Sequence, residues 1–555
     1  MGVLGGFQGE WYKKPPKIPR SSEDFYIQLS KKEIITKFSM IVGGMWLLAW
    51  GGLACADPGP PPSVSQELPQ TLRQALAQAN VPASEVSVVV WGVHEPQPRL
   101  AWEAQTPRNP ASVMKLVTTL AALENWGPAK TWRTEVRVPR LEAQRGQGPF
   151  GVIGVGDPGL TLERWQELWR QVYQQGVHQL SGPIRFDQEG FAPSASSPDT
   201  FDQEGFRAYN VIPHALQVGQ QTQWWFIRPG ERVGEPLQIW PEFPFSRIEL
   251  RNRTRTVDGP CPALWRSGLR YAIRAKFPGQ ATISHPDRHL DDGAILELTG
   301  TMPQACGVQL MGFSLLTNAA YLDSSLRTLW HELGGTFTGT LSQGPVPRDW
   351  PVLASSESPA LIELLLQMNK NSNNVLARTL LLDLATDGPD AASAATESAG
   401  QAKVLRILAE RGLVFPELVL ENGAGLSRKA RISAEHLARL LLWMQEKSLY
   451  GNEFMATLPL VNVDGTLRHS FEDPQLRGRF HLKSGTLEGV KALAGYGLDA
   501  QNHWVVVVFL ANGTGAGGTE AAQEALLRWV YHESKIPQSG VPPDATVLPA
   551  PNPLR

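Results

Sequence analysis

Ser112 and Lys115 stand three positions apart in NPASVMKLVTTLAAL (109–123), at the mouth of an otherwise apolar run. On a helix, positions i and i+3 share a face with Cβ atoms about 5 to 6 Å apart. Apolar surroundings disfavour an ammonium, and a neutral amine beside a serine hydroxyl can take its proton. The chemistry open to the pair is nucleophilic attack on a carbonyl. Alone, the pair reads more simply as a helix N-cap and a surface lysine. A nucleophilic serine also needs a second polar group to relay the proton and a cation to hold an anionic substrate. Both follow in order. NKNSNNV places Ser372-Asn373-Asn374 in a polar break between two apolar helical runs, and HLKSGTL places Lys483-Ser484-Gly485 in a strand. Glycine there permits close approach of a substrate backbone. Taken singly, the asparagines could be turn residues and Lys483 a strand-edge charge. All three in order, each on a fitting element, favour chemistry over accident.

The elements that must position these residues can be read from periodicity. LPQTLRQALAQAN has helical spacing, EVSVVVWGV and RLAWEA alternate as a strand pair, and the Ser112 helix continues to Asn125. Residues 131–350 change texture to short strands, prolines and turns. Beyond 355, SPALIELLLQMNKNSNNVLARTLLLDLA, GQAKVLRILAERG and SAEHLARLLLWMQEK are amphipathic runs; the segment from Gly478 then predicts three strands and TEAAQEALLRWVYHES a closing helix. The pattern predicts an α+β helix-and-antiparallel-sheet domain, 67–130 plus 351–535, split by an insertion at 131–350. A Pro-rich linker (57–66) precedes it and a disordered tail (536–555) follows.

With 555 residues, 42% hydrophobic and 19% charged, the chain can bury more than one core. A net charge of −2 and the absence of zinc knuckles or Gly-rich phosphate loops argue against a nucleic-acid partner. Met40 to Ala54 is an apolar run, short for a membrane span and ending in small residues, so residues 1–56 read as an extension with an export signal. Cleavage after Ala56 is the preferred reading; lipidation at Cys55 and retention as an anchor stay open. Cys261 and Cys306 either pair in an oxidising compartment or are two unrelated thiols. His285 and His289 have metal-like spacing, but Pro286 disfavours a helix across them. The eighteen tryptophans, including those of QWWF and RWQELWR, fit packing better than a sugar-stacking groove.

With its Ser-x-x-Lys, Ser-x-Asn and Lys-Ser-Gly motifs the chain resembles the penicillin-recognising serine enzymes. About 255 residues separate the first two motifs and about 110 the second and third, too wide a layout for a compact β-lactamase. That layout is similar to the class C low-molecular-mass penicillin-binding proteins, the D-alanyl-D-alanine carboxypeptidase/endopeptidase family of penicillin-binding protein 4 type. GVGDPGL, YNVIPHAL, NGAGLSR and VDGTLRHSF agree with it, across most of residues 65–535. Ser484 replaces the usual threonine, and Asn422 and Ala424 stand where the family often has aspartate and serine.

The resemblance implies a β-lactamase/transpeptidase-like fold: a five-stranded antiparallel sheet flanked by helices, with a large, mainly β insertion between the first two motifs. It implies Ser112 as nucleophile, Lys115 as base, Ser372 as proton relay and Asn374 as the substrate-amide contact. Lys483 and Ser484 would bind the terminal carboxylate beside Gly485, and the amides of Ser112 and Thr486 would form the oxyanion hole. Similar enzymes hold a diaminopimelate side chain through an aspartate and an arginine, here Asp157 and Arg428; read alone, each is a solvated turn charge. The implied partners are peptidoglycan peptides ending in D-Ala-D-Ala or cross-linked through D-Ala, and β-lactam inhibitors, with no metal or cofactor. Two rival readings remain, a catalytically silent cell-wall-binding protein on the same fold and a β-lactamase or esterase relative.

Overall fold

The computed structural model describes residues 64–139, 148–262, 264–276, 290–386 and 394–534, all within the compact unit that begins at Gly59. The export segment, the tail from 536, residues 57–63 of the Pro-rich linker, and His285 and His289 lie outside the described residues. Among the described residues no helix is long and apolar enough to cross a membrane.

A five-stranded antiparallel sheet draws on both ends of the chain. Its order is Phe480–Leu487, Val490–Leu498, Trp504–Asn512, Val86–Gly92, Leu100–Trp102. The run WVVVVFLAN of the central strand lacks polar alternation because both faces are covered. Val506, Val508 and Leu510 point into a core built with the helices Lys115–Trp126, Leu361–Lys370, Asn374–Leu384, Glu397–Glu410 and Ala434–Glu446. Val505, Val507 and Phe509 point the other way, against Leu72 and Leu76 of the first helix and Leu526, Leu527 and Val530 of the last. Each such side chain, fully buried, contributes about 1.5 to 3 kcal/mol. The edge strand Phe480–Leu487 is paired along its inner side, and on its outer side residues 459–461 bridge its first half, the Val461 amide donating to the Phe480 carbonyl and the Leu482 amide to the Pro459 carbonyl.

Between Arg133 and Glu357 the chain builds further sheets. One has five strands, in the order Leu341–Gln343, Ile184–Asp187, Phe150–Ile153, Arg133–Arg137, Val352–Glu357; two have three strands each. The insertion is less purely β than its sequence texture predicts, because Leu162–Gln174 and Asn318–Glu332 are helices. Trp165 and Trp169 of RWQELWR pack with Trp330 in edge-on ring contacts inside this core. Cys261 and Cys306 are joined by a disulfide with Cα atoms 4.7 Å apart, which settles the alternative left open by sequence.

Candidate active site

Ser112 does not sit on the α-helix that its spacing predicts. Ala111–Met114 form a 3-10 turn, and the α-helix begins at Lys115. With three residues per 3-10 turn, i and i+3 eclipse, so the tighter winding aligns Ser112 and Lys115 more closely than an α-helix would. The turn enters through Ala111 at φ 46°, and the Ala111 amide donates to Asn109 Oδ1 at 2.9 Å. Gly425, at φ +73°, lies so close that a Cβ there would come within 1.8 Å of the Ala111 carbonyl oxygen.

Lys115 is fully buried, and its Nζ has three neighbours: Asn374 Oδ1 at 2.7 Å, the Ala424 carbonyl at 2.7 Å and Ser112 Oγ at 3.0 Å. Burial, and then the nearby Lys483, hold its pKa well below the ordinary lysine value. A neutral amine has two N–H groups and one lone pair. The two carbonyl oxygens can only accept, so they take both N–H groups and leave the lone pair facing the one neighbour that can donate, the Ser112 hydroxyl. Asn374 is oriented for this by its Nδ2, which donates to the Tyr209 carbonyl at 3.3 Å.

Asn374 opens the helix Asn374–Leu384, and Asn373 caps it by accepting from the Leu376 amide at 3.0 Å. Ser372 precedes the cap at φ 56°, between two helices, which turns its hydroxyl toward Lys483. Lys483 Nζ donates to Ser372 Oγ at 2.9 Å and to the Ser484 carbonyl at 2.8 Å. Burial alone pushes the Lys483 pKa down to about 7. Alternation along the strand turns Lys483 and Gly485 inward, and Ser484 and Thr486 outward. Gly485 has a specific reason to be glycine: a Cβ there would meet the Pro110 carbonyl oxygen at 2.6 Å and the Ser112 nitrogen at 3.0 Å.

A cleft of about 290 Å³ opens in front of these groups, bordered by Ser112, Ser372, Ser484, Thr486 and Thr466. Lys483 is buried and donates to Ser372 Oγ, and Lys491, Glu520 and Gln523 line the cleft along with the hydroxyls. Lys483 meets Ser372 Oγ directly, while Ser484, Thr486 and Thr466 border the cleft.

Asp157 is not brought into the cleft. Its Oδ1 accepts from the Gly159 amide at 2.8 Å and its Oδ2 from Arg164 Nη1 at 2.7 Å, with 2% of the side chain exposed. Burial raises its carboxyl pKa, against the opposing pull of Arg164. One oxygen is thus engaged by its own turn and the other by Arg164 of the following helix Leu162–Gln174. Arg428 lines a separate recess of about 230 Å³; its guanidinium lies 4.8 Å from the Phe201 ring and donates to the Glu488 carbonyl at 2.9 Å, just past the end of the edge strand.

Sequence reasoning assigned no role to several residues that build the site. The Ala424 carbonyl comes from the NGAGL turn, which is anchored to the nucleophile helix by Thr118 Oγ1 donating to the Gly423 carbonyl at 2.7 Å. Thr466, from VDGTLRHSF, sits 2.8 Å from Ser484 Oγ. Tyr209 and Gln220 reach in from the insertion, Gln220 Oε1 accepting from Asn373 Nδ2 at 2.8 Å. The advance signals for these segments were glycine density and the likeness of NGAGLSR, VDGTLRHSF and YNVIPHAL to the family. Among the described residues no group of three or more His, Cys, Asp or Glu could hold a metal ion.

Comparison with known proteins places this arrangement. A D-alanyl-D-alanine carboxypeptidase of an Actinomadura species is 28% identical over 402 residues, 70% of each chain. The D-alanyl-D-alanine carboxypeptidase DacB of Haemophilus influenzae is 23% identical over 452 residues, 80% of this chain and 89% of that one. The crystal structure of penicillin binding protein 4 (dacB) from Haemophilus influenzae matches with a TM-score of 0.67 at 20% identity, over 83% of this chain and 99% of that one. The profile of the D-Ala-D-Ala carboxypeptidase 3 (S13) family matches residues 68–264 and 274–532, a span that contains all three motifs. On that coverage, the chain belongs to the D-Ala-D-Ala carboxypeptidase 3 (S13) family.

Proposed function

We propose that this chain hydrolyses the amide bond after a D-alanine in peptidoglycan stem peptides through an acyl-enzyme on Ser112, as a carboxypeptidase on D-Ala-D-Ala ends and/or an endopeptidase on cross-links through D-Ala. β-Lactams acylate the same serine. The observation that carries this reading is the hydrogen-bond accounting at Lys115: two carbonyl acceptors occupy its N–H groups, so its lone pair faces Ser112.

As Ser112 Oγ bonds to the carbonyl carbon, its proton passes to Lys115 Nζ. The carbonyl electron pair moves to oxygen, where the backbone N–H groups of Ser112 and Thr486 receive it; one such donor is typically worth about 3 kcal/mol. Collapse expels the amine, which takes its proton through the hydroxyl of Ser372. Lys483 orients that hydroxyl by donating to its oxygen at 2.9 Å. Ser484, Thr486 and Thr466 hold the carboxylate of the leaving residue, and water then hydrolyses the ester. Gly485 permits strand and nucleophile turn to approach closely enough for the oxyanion site to form.

For the side chain of the donor peptide, Arg428 is the proposed carboxylate contact. Asp157 is paired with Arg164. A wall substrate lies outside the cytoplasm and the Cys261–Cys306 disulfide suits an oxidising compartment, so both support an exported protein working in the cell envelope.

The test is D-alanine release from a synthetic peptide ending in D-Ala-D-Ala. Ser112→Ala should abolish it with thermal unfolding nearly unchanged, because a small hydroxyl adds little packing. Lys115→Arg, which keeps the charge but cannot act as a neutral base, should be equally inactive. Acylation by the wild type should fall on the acidic side, at an apparent pKa well below that of free lysine. D-Alanine release by the alanine variant, or a flat profile from mildly acidic to alkaline pH, defeats the assignment.

A further inference from the structure

Loop 462–471 has a recess on each side. Thr466, Leu467, Ser470 and Phe471 border the cleft, while Arg468, His469 and Phe471 border a second recess of about 590 Å³ completed by Glu472 and Arg477. Phe471 is common to both. The loop is firmly built: Asn462 at φ 57° donates its amide to the Leu467 carbonyl at 2.9 Å and its Nδ2 to the Phe471 carbonyl at 2.9 Å. Asp464 is tied to Lys370 at 2.7 Å and to the Leu460 amide at 2.8 Å. Thr466 Oγ1 meets Ser484 Oγ at 2.8 Å, so the position of the second recess relative to the carboxylate-facing hydroxyls is set by one rigid segment.

The second recess is cationic. The guanidiniums of Arg468 and Arg477 make no hydrogen bond or ion pair with any described residue. Neighbouring charges are already committed: Arg528 pairs with Asp473 at 2.8 Å and Glu524 at 2.7 Å, and Arg479 lies over the Tyr531 ring at 4.4 Å. Among the described residues Glu472 is the one carboxylate on the wall, and two guanidiniums outweigh it.

A single terminal D-alanine ends at the hydroxyls of Ser484, Thr486 and Thr466. A cross-linked substrate continues past them as a second stem peptide, which carries further free carboxylates. Resting on the function proposed above, we propose that the recess of Arg468 and Arg477 is an anion subsite that takes a carboxylate of this leaving peptide and so favours cross-linked substrates.

The experiment compares wild type with the Arg468→Gln/Arg477→Gln double variant on three probes: a stem-peptide dimer joined through D-Ala, a single peptide ending in D-Ala-D-Ala, and a fluorescent penicillin. The variant should lose about tenfold in kcat/KM on the dimer, while the single peptide and penicillin change by less than about twofold. Dimer cleavage by the wild type should weaken with added salt more than cleavage of the single peptide. The Arg468→Lys/Arg477→Lys variant should recover most of the loss, since lysine keeps the charge. An unchanged rate on the dimer, equal losses on both peptides, or a wild type that trims the single peptide but leaves the dimer intact overturns the subsite. A wild type that neither binds penicillin nor releases D-alanine instead overturns the proposed function, and the subsite with it.

Discussion

Replacing Lys483 by methionine removes an amine whose charged form the fold disfavours. Lys483 is fully buried, touches one hydroxyl and one carbonyl, and has its pKa lowered from 10.5 to about 7 by burial. A shift of that size corresponds to a penalty on the order of 5 kcal/mol against the folded state where both states are protonated. The sign follows from linkage. Between about pH 7 and 10.5 the unfolded chain holds a proton that the folded chain has released, so wild-type stability rises with pH in that window. Methionine fills a similar volume and does not titrate. From pH 7 to pH 9 the wild type should therefore gain on the order of 2 kcal/mol relative to Lys483→Met, a shift of a few degrees in the difference between their melting temperatures. Loss of the Lys483 charge also relaxes the depression at Lys115, which acts in the same direction. Calorimetry of both proteins at the two pH values reads the difference directly, and D-alanine release by the variant should be lost throughout. Melting curves that run in parallel from pH 7 to pH 9 would refute the claim that the buried pair of lysines is held largely neutral.

Gly485→Ala should lower acylation by penicillin at least about a hundredfold with a small change in melting temperature, because its Cβ would push the edge strand away from the Pro110 carbonyl and the Ser112 nitrogen; an alanine variant of near-normal rate would contradict the close approach. Asp157→Ala should destabilise the protein by about 3 kcal/mol, since it leaves Arg164 part-buried without its carboxylate; thermal unfolding checks this, and an unaltered melt would show that the pair contributes nothing. Arg428→Ala should cost about 2 kcal/mol of transition-state stabilisation on diaminopimelate-containing peptides and leave penicillin acylation unchanged. Equal losses on the two would assign Arg428 to holding the strand end at Glu488.

The groups proposed to carry the chemistry were legible because motifs compress geometry into short spacings. Ser112, Lys115, Ser372, Asn374 and Lys483 converge as the order of their motifs suggested. The sheet was legible for a related reason: the unbroken apolar run from Val505 to Leu510 is covered on both faces. What stayed hidden depends on contacts between distant segments. The 3-10 winding at Ala111–Met114 is set by Asn109 and by the approach of Gly425, more than three hundred positions later, and no local propensity announces it. The Ala424 carbonyl acts through its backbone, so residue type carries no signal. Asp157 shows the converse: an aspartate in a Gly-rich turn looks exposed in sequence, and only the fold shows Arg164 seven positions on pairing with it.

The central claim is that Ser112 is the acylated nucleophile, and mass spectrometry of the protein after incubation with penicillin tests it most directly. Wild type should gain one penicilloyl group, found after digestion on the peptide containing Ser112, and folded Ser112→Ala should gain none. An unmodified wild type, or an adduct located on another residue, would contradict the account.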